Sequence, residues 1–344
     1  MRLQWPCLLL ALAASASVSG ITATNADPTP SARLQAADLA LIINDSAPLS
    51  VAVGDYYRSR RGIPAANVVH VSFNGATAGI SAADFAGLKA QVDALTPPQV
   101  QAFVLSWTLP YRVECMSITT AFAAGFDHKF CSATCSATRR SPYFDSSSRR
   151  PFDDLGLRPT MSLAAKDFEH ARALIDRGIA ADGSAPAATA YLAVTGDIAR
   201  NVRSTRYADA GLLVGERVRL RVLPMREVVN RPDVMFYFVG ADQVPGLASN
   251  RFLPGAVGDH LTSFGGVLDG TGQMSALRWL EAGATGSFGT VAEPCNIAGK
   301  FPSVALMMSR YLSGETLLES YWKSVAMPGQ GLFVGEPLAH PYGL

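Results

Sequence analysis

The sequence predicts an α/β protein whose mainly parallel sheet is flanked by helices in a three-layer arrangement. Two observations carry this prediction. Short apolar runs alternate with helical patterns along the chain, which is the order of strand–helix–strand units. The runs, such as "LALIIN" (39–44) and "DVMFYFVGAD" (233–242), are apolar over nearly their whole length. Such unbroken strands are typical of parallel sheets that are buried on both faces.

The first part of the chain supplies three strands and two helices in alternation. After the strand 39–44, a helical pattern begins near Ser46 and ends before Gly62, since Ser favours a helix start and Gly a helix end. The elements that follow are a strand at 67–73, a helix at 81–95 and a strand at 100–107.

The segment 109–159 interrupts this alternation. It is long and polar. The stretch "TRRSPYFDSSSRRPF" within it contains two Arg-Arg pairs, and three cysteines precede that stretch. Loops of this length in compact domains are usually functional, stapled or flexible. We therefore expect an N-terminal lobe, 34–165, that contains a cysteine-bearing loop insertion at 109–159.

The alternation resumes in a predicted C-terminal lobe, 166–344, which we expect to carry the functional site. Its predicted elements are a helix at 165–181, a strand at 188–196, a helix at 204–220, the strand 233–242, a helix at 272–283, a strand at 284–291 and two helices at 301–312 and 314–325.

Composition restricts the class of protein. The chain has 344 residues, of which 49% are hydrophobic and 17% charged, and its formal net charge is +1. This balance argues against extended disorder. It also gives no electrostatic reason to expect nucleic acid or an anionic membrane surface as a partner.

The N-terminus has the layout of a secretory signal peptide. One arginine precedes an apolar run at 7–14, and small residues follow the run. We assign 1–26 to the signal peptide and the start of a linker. The run is too short to span a bilayer, so we expect an exported protein, periplasmic or extracellular, without a stable membrane span after cleavage.

Four cysteines remain once Cys7 has left with the signal peptide: Cys115, Cys131, Cys135 and Cys295. Thiols tend to oxidise outside the cytoplasm, so a disulfide is the default expectation for each, and four cysteines allow three full pairings.

A metal site is the alternative for part of this set. The stretch "HKFCSATC" (128–135) has an H-x2-C-x3-C spacing that zinc could use. In an exported loop, however, a bridge from Cys131 to Cys135 or to Cys115 is the better expectation. With no nucleotide-binding or zinc-protease motif elsewhere, the sequence predicts no metal and no cofactor.

Polar residues follow three of the C-terminal strands. Asp242 ends one buried strand, Asp259 and His260 lie in the loop after it, and Cys295 follows the next strand. Ligands of open α/β sheets bind beyond the carboxyl ends of the strands. A helix between His260 and Cys295 would place both at that edge, on neighbouring strands.

This placement permits cysteine catalysis. Cys295 would be the nucleophile and His260 the base that holds or passes its proton, with Asp259 or Asp242 orienting the imidazole. The sequence leaves the choice between the two carboxylates open.

An oxyanion site would complete the arrangement. The backbone around Gly265 and Gly266 could donate to the developing oxyanion. The competing interpretation is that His260 is an ordinary histidine and that Cys295 is one half of a disulfide.

Three segments carry a resemblance to a known family: "LALIINDSAPLSVAVGDYYRSRRGIPAANVVHV", "GATGSFGTVAEPCN" and "GETLLESYWKSVAMPGQGLFVGEPLA". Together they resemble an uncharacterised bacterial family found mainly in genomes that encode exosortase, the proposed sorting transpeptidase for PEP-CTERM surface proteins. The resemblance covers nearly the whole mature chain. It implies a context of envelope export and surface sorting, and no established activity.

The order histidine, helix, cysteine also resembles that of the caspase-like cysteine peptidases, above all the gingipain type. That resemblance implies a caspase-like or flavodoxin-like sandwich, with His260 as general base and Cys295 as nucleophile. The ending "LFVGEPLA" (332–339) is similar to the Gly-Asp-Pro closing segment of gingipain-like chains. Two features depart from the pattern, because His260 is followed by Leu rather than Gly and Pro294 precedes the cysteine.

The sequence thus leaves two functions open for an exported envelope protein. The first is a cysteine peptidase or transpeptidase that acts on surface-sorted proteins or peptides. The second is a non-catalytic accessory with structural disulfides that binds surface proteins or glycans through the segment 109–159. They differ in the state of one sulfur, since catalysis requires a reduced Cys295.

Overall fold

The secondary structure was obtained from a computed structural model, which describes residues 1, 3, 33–132, 134–214, 217–270 and 272–343. The chain divides into two compact units, 1–30 and 31–344, and the fold below is that of the second. The predicted signal peptide lies outside the described residues, apart from positions 1 and 3. Within the described ranges, no helix combines the length and the apolar character needed to cross a membrane.

The strands, in chain order, are β1 (Leu39–Asn44), β2 (Val68–Val71), β3 (Gly79–Ile80), β4 (Ala102–Leu105), β5 (Arg112–Val113), β6 (Met116–Ser117), β7 (Thr160–Ser162), β8 (Thr189–Ala193), β9 (Arg219–Leu223), β10 (Val234–Gly240), β11 (Phe252–Leu261), β12 (Gly286–Thr290) and β13 (Gly331–Gly335). The α-helices are α1 (Pro48–Arg61), α2 (Ala82–Leu95), α3 (Ile118–Ala124), α4 (Pro151–Leu155), α5 (Phe168–Ala181), α6 (Tyr207–Val214), α7 (Leu277–Glu281), α8 (Val304–Leu312) and α9 (Leu317–Ser324).

Local sequence signals explain where the first helices begin and end. Pro48 occupies the first turn of α1, where its missing N–H has no helical partner to lose. Gly62 ends α1 in the left-handed conformation that glycine adopts without strain. The Ser81 side chain caps α2 by accepting the backbone N–H of Asp84.

The main sheet of the described residues has ten strands in the order β2-β1-β4-β7-β13-β12-β11-β10-β8-β9. Every neighbouring pair is parallel except β12 and β13, which are antiparallel. A small second sheet contains β3, β5 and β6. The predicted mixed α/β fold with a mainly parallel sheet is confirmed.

Helices cover both faces of the main sheet. In β1, the side chains of Leu39, Leu41 and Ile43 belong to one apolar core, and those of Ala40 and Ile42 belong to the other. Helices α1, α6, α8 and α9 pack into the first core, and α2, α3 and α7 into the second. The three-layer arrangement expected from the unbroken apolar strands is therefore present.

The strands of both predicted lobes belong to this one sheet. β1, β2, β4 and β7 come from the N-terminal part and β8 to β13 from the C-terminal part. The two sets meet where β13 pairs with β7, at Val334 and Ser162.

The insertion 109–159 packs against the sheet instead of standing away from it. Its helix α3 is buried over most of its length and contacts β7 and β13. The Phe122 ring makes edge contacts with Phe85 and Trp107. Farther along, the backbone N–H of Ser141 donates to the Ala326 carbonyl at 2.8 Å, which anchors the segment beyond α9.

β9 and β11 differ from the sequence prediction. A single helix was predicted for 204–220. The helix α6 ends at Val214 instead, and β9 begins at Arg219. β11 includes residues predicted as a loop. Its Pro254, Gly255 and Gly258 are unfavourable in strands, which conceals it in the sequence.

Candidate functional site

The carboxyl ends of β8, β10, β11 and β12 lie at one edge of the parallel sheet. The chain leaves β8 for β9 on one side and leaves β10 for β11 on the other. The strand order therefore reverses between the neighbours β8 and β10. In open α/β sheets, this reversal opens the crevice in which ligands bind.

His260 lies inside the protein beneath this edge, with 1% of its surface exposed. The indole Nε1–H of Trp279 donates to His260 Nδ1 at 2.9 Å, and His260 Nε2 is 2.8 Å from the Met274 carbonyl oxygen. An indole nitrogen only donates, so Nδ1 accepts and the proton resides on Nε2. Burial lowers the pKa of His260 to about 4. The ring is neutral and connects β11 to the segment 274–279.

Cys295 is bonded to Cys135, and Cys115 is bonded to Cys131. All three cysteines of the insertion 109–159, which were expected in disulfides, are therefore disulfide-bonded. The fourth cysteine, Cys295, is disulfide-bonded as well. Cys295 has a φ of 55°, in the left-handed region, and its backbone N–H donates to Glu293 Oε1 at 2.7 Å.

The structure does not bring Cys295 and His260 together as a nucleophile and its base. The sulfur is shared with Cys135, and both ring nitrogens are bonded to Met274 and Trp279. A disulfide sulfur cannot form a thiolate, and the imidazole has no free nitrogen to receive a proton.

Asp259 lies on the opposite face of β11 from His260, because side chains alternate along a strand. It is buried, and its carboxylate pairs with Arg203 at 2.6 Å. Burial raises the pKa of Asp259, and the Arg203 guanidinium opposes that rise. This carboxylate therefore neutralises Arg203 and does not orient the imidazole.

Asp242 is exposed where β10 ends, and its backbone carbonyl accepts the N–H of Met274 at 2.9 Å. The Asp242 carboxylate opposes part of the pKa decrease at His260, so the two groups are near each other. Its side chain faces the crevice and bonds to neither ring nitrogen.

Gly265 and Gly266 allow two backbone segments to cross closely. The N–H of Gly266 donates to the Thr290 carbonyl at 2.9 Å, so that donor is already used. A Cβ atom on Gly266 would lie 2.6 Å from the Gly289 carbonyl oxygen. Both observations assign these glycines to packing between the 265–266 turn and β12.

The alternative zinc arrangement is not formed, because Cys131 and Cys135 belong to different disulfides. Of the two bridges expected within the insertion, the one between Cys131 and Cys115 is formed and the one between Cys131 and Cys135 is not. Among the described residues, no group of three His, Cys, Asp or Glu side chains is placed to hold a metal ion.

Sequence reasoning missed a cavity of about 690 Å³ at the reversal of strand order. Three loops line it, namely 194–197 after β8, 224–226 after β9 and 240–243 after β10. Its polar side chains are those of Thr195, Asp197, Arg226, Asp242 and Gln243.

A second cavity of about 250 Å³ adjoins the first, and Gln243 lines both. Its walls come from 243–248 and from residues between 274 and 282. We call the two cavities together the carboxyl-edge groove. The Trp279–His260–Met274 contacts lie beneath its second part.

A hydrogen-bonded network supports the groove from below. Arg200 donates to Asp197 at 2.7 Å and to the Thr262 hydroxyl at 3.1 Å, and that hydroxyl donates to Gln273 at 2.8 Å. The network joins the loop after β8 to the end of β11. The polar residues "TGD" (195–197), directly after an apolar strand, were the sequence signal for this site.

No family model and no curated protein matches the chain. A solved complex of the pro- and mature domains of RgpB from Porphyromonas gingivalis has a similar structure, with a TM-score of 0.48 and 8% sequence identity. The similarity covers 88% of this chain and 79% of that one.

Proposed function

We propose that the protein is an exported binding protein of the cell envelope, stabilised by two disulfides, whose ligand occupies the carboxyl-edge groove. One observation supports this most. Cys295 is bonded to Cys135 while both nitrogens of His260 are bonded within the protein. The residues that would carry cysteine chemistry thus have structural partners, and the open polar groove is left as the site for a ligand.

Two further features support the setting. Disulfides persist in oxidising compartments, which agrees with export. The segments 39–71, 283–296 and 314–339 resemble the exosortase-associated family, which favours a role in surface-protein sorting. We place binding in the groove and not on 109–159, because that segment packs against the sheet and α9.

The groove favours a polar ligand. A cavity of about 690 Å³ lies within the range of small-molecule and short-segment sites. Asp197 and Asp242 can accept hydrogen bonds, whereas Arg226 can donate them, and Gln243 can do both. A segment of a surface-sorted protein has groups of both kinds.

The first test distinguishes binding from cysteine catalysis. Unreduced protein, purified from the exported fraction, is treated with iodoacetamide at about pH 6, where an ordinary thiol of pKa about 8.5 reacts slowly. Peptide mapping should show no label on Cys135 or Cys295 until a reductant is added. Rapid labelling of Cys295 that is lost in His260→Ala would contradict the proposal and restore the peptidase interpretation.

The second arm of the test examines the groove itself. Gln243→Trp places an indole where the two cavities meet, and Gln99→Trp places one on an exposed turn as the matched control. Peptides from surface-sorted proteins are titrated into both variants by calorimetry. We expect at least about tenfold weaker binding in Gln243→Trp alone. Equal binding in the two variants would exclude the groove.

A further inference from the structure

We propose that β9 is a docking edge for an acidic, extended polypeptide segment, which would add to the main sheet as a further strand. Among the described residues, β9 is the last strand of the main sheet, and β8 is the one strand that it pairs with. This inference rests on the backbone and the charges of β9 and not on the carboxyl-edge groove, so either proposal can fail without the other.

The free backbone groups of β9 can be identified. The N–H of Arg219 donates to Ala188 at 3.0 Å, and the carbonyl of Leu223 accepts the N–H of Val194 at 2.8 Å. In a parallel sheet, every second residue of a strand directs its backbone N–H and C=O groups toward the same neighbouring strand. The N–H and C=O groups of Leu220 and Val222 therefore point away from β8, toward the open edge.

The side chains on one face of this edge are cationic. Arg219 and Arg221 are exposed. Two other surface arginines, Arg206 and Arg278, each pair with a carboxylate three residues away. By contrast, Arg219 and Arg221 form no ion pair with any residue in the part of the chain that the structure describes.

Asp233 interacts electrostatically with this edge, since Arg219 contributes to the lowered pKa of the Asp233 carboxyl group. Its two oxygens are used elsewhere. One accepts the Thr189 hydroxyl at 2.6 Å and the other the Tyr191 hydroxyl at 2.8 Å. Asp233 thus offsets part of the charge of Arg219 from a distance, and neither Arg219 nor Arg221 has an ion-pair partner among the described residues, so both can meet carboxylates of another molecule.

The other face of the edge is apolar. Val222 is 45% exposed, and Leu212 on the neighbouring helix α6 is 86% exposed. An incoming strand that alternates acidic and apolar side chains would direct the acidic ones toward the arginines and the apolar ones toward Val222. Main-chain bonds would supply affinity and the side chains specificity, as in other cases of strand addition.

A second copy of this chain fits the edge poorly. Antiparallel pairing of β9 with its own copy would bring Arg219 and Arg221 of the two strands onto one face. Like charges opposite each other destabilise a strand pair. An acidic partner replaces that repulsion with attraction.

The probe is a fluorescein-labelled peptide of alternating Glu and Val, titrated into the full mature protein and followed by anisotropy. A matched Lys–Val peptide is the control. We expect the acidic peptide to bind, the Lys–Val peptide not to bind, and added salt to weaken the complex. Hydrogen exchange should slow at the amides of Leu220 and Val222.

Two variants localise the complex. Val222→Pro removes an outward N–H at an edge position that tolerates proline, and Val222→Thr keeps it. We expect about tenfold weaker binding for the proline variant only. The double variant Arg219→Glu with Arg221→Glu should prefer the Lys–Val peptide. Circular dichroism and thermal melting confirm that each variant is folded.

Three outcomes would overturn the proposal. They are equal binding of the two peptides, equal binding by Val222→Pro and Val222→Thr, and no binding of either peptide. In the last case the arginines only guard the edge against aggregation, which is a common use of charge on edge strands.

Discussion

The indole N–H of Trp279 fixes the chemistry of His260. Because an indole nitrogen can only donate, His260 Nδ1 must accept, and the remaining ring N–H donates to Met274. Protonation of the ring would place a second N–H against the Trp279 donor. Burial adds to this penalty, so the folded protein holds His260 neutral.

This predicts a pH dependence of stability. The pKa of His260 falls from 6.5 to about 4 on folding, chiefly through burial. Between these values the unfolded chain binds a proton that the folded protein does not, so stability is full above pH 6.5 and decreases as the pH falls toward 4. The decrease amounts to about 3 kcal/mol. Urea unfolding over this pH range measures it.

Matched variants isolate the contribution of His260. His260→Gln keeps one acceptor and one donor but cannot take up a proton, so the free energy of unfolding should lose this part of its pH dependence. His70→Gln, at a half-exposed histidine, is the matched control. An unaltered profile in His260→Gln would show that the ring does not titrate in this way.

The sequence predicted His260 in a loop near the sheet edge, whereas it lies within β11 with its ring buried, and the sequence did not predict what the ring contacts. An apolar strand before it and a helix after it are sufficient to place it near the sheet edge. The hydrogen bonds that decide its chemistry come from Met274 and Trp279, 14 and 19 residues farther along the chain. Those contacts depend on how α7 packs, and no local pattern specifies them.

At the scale of elements, the strands buried on both faces were the most predictable. β1, β4 and β10 are apolar along their whole length, and neighbouring polar residues mark their ends. β9 and β11 were not predicted. β9 alternates arginine with apolar residues and follows α6 closely, and β11 contains proline and glycine. Position in the sheet overrides local preference in both cases.

The disulfide pairing was equally hidden, because spacing does not determine connectivity. The observed bridges close very different lengths of chain. Cys115–Cys131 spans a sequence separation of 16, whereas Cys135–Cys295 spans 160. The second joins the insertion to the loop after β12, elements that are far apart in sequence.

The difference in loop length predicts unequal contributions to stability. A bridge restricts the unfolded chain more when it closes a longer loop. Replacing Cys135 and Cys295 by Ser should lower the free energy of unfolding by about 5 kcal/mol, and replacing Cys115 and Cys131 by about 3 kcal/mol. Urea unfolding of the two double variants measures both. The reverse order would mean that native packing, not chain entropy, governs these bridges.

At the scale of the whole molecule, the parallel architecture followed from sequence and the closing strand did not. β13 lies between β7 and β12, parallel to one and antiparallel to the other. It is the last strand in the chain, and it joins strands from the two predicted lobes. A sequence that alternates strands and helices gives no sign of such a late insertion into the centre of the sheet.

A buried ion-pair network reinforces this junction and supplies the final prediction. Arg61, at the end of α1, donates to both oxygens of Glu336, directly after β13, at 2.9 and 2.5 Å, and also pairs with Asp182. Arg61→Met would leave the buried Glu336 carboxylate without its cation, which costs about 3–5 kcal/mol. Arg60→Met, at an exposed pair, should cost less than about 1 kcal/mol.

Urea unfolding followed by both circular dichroism and tryptophan fluorescence tests this. One shared transition, shifted in Arg61→Met alone, would show that the two halves of the sheet unfold together. Two transitions with only one of them shifted would show that they unfold separately.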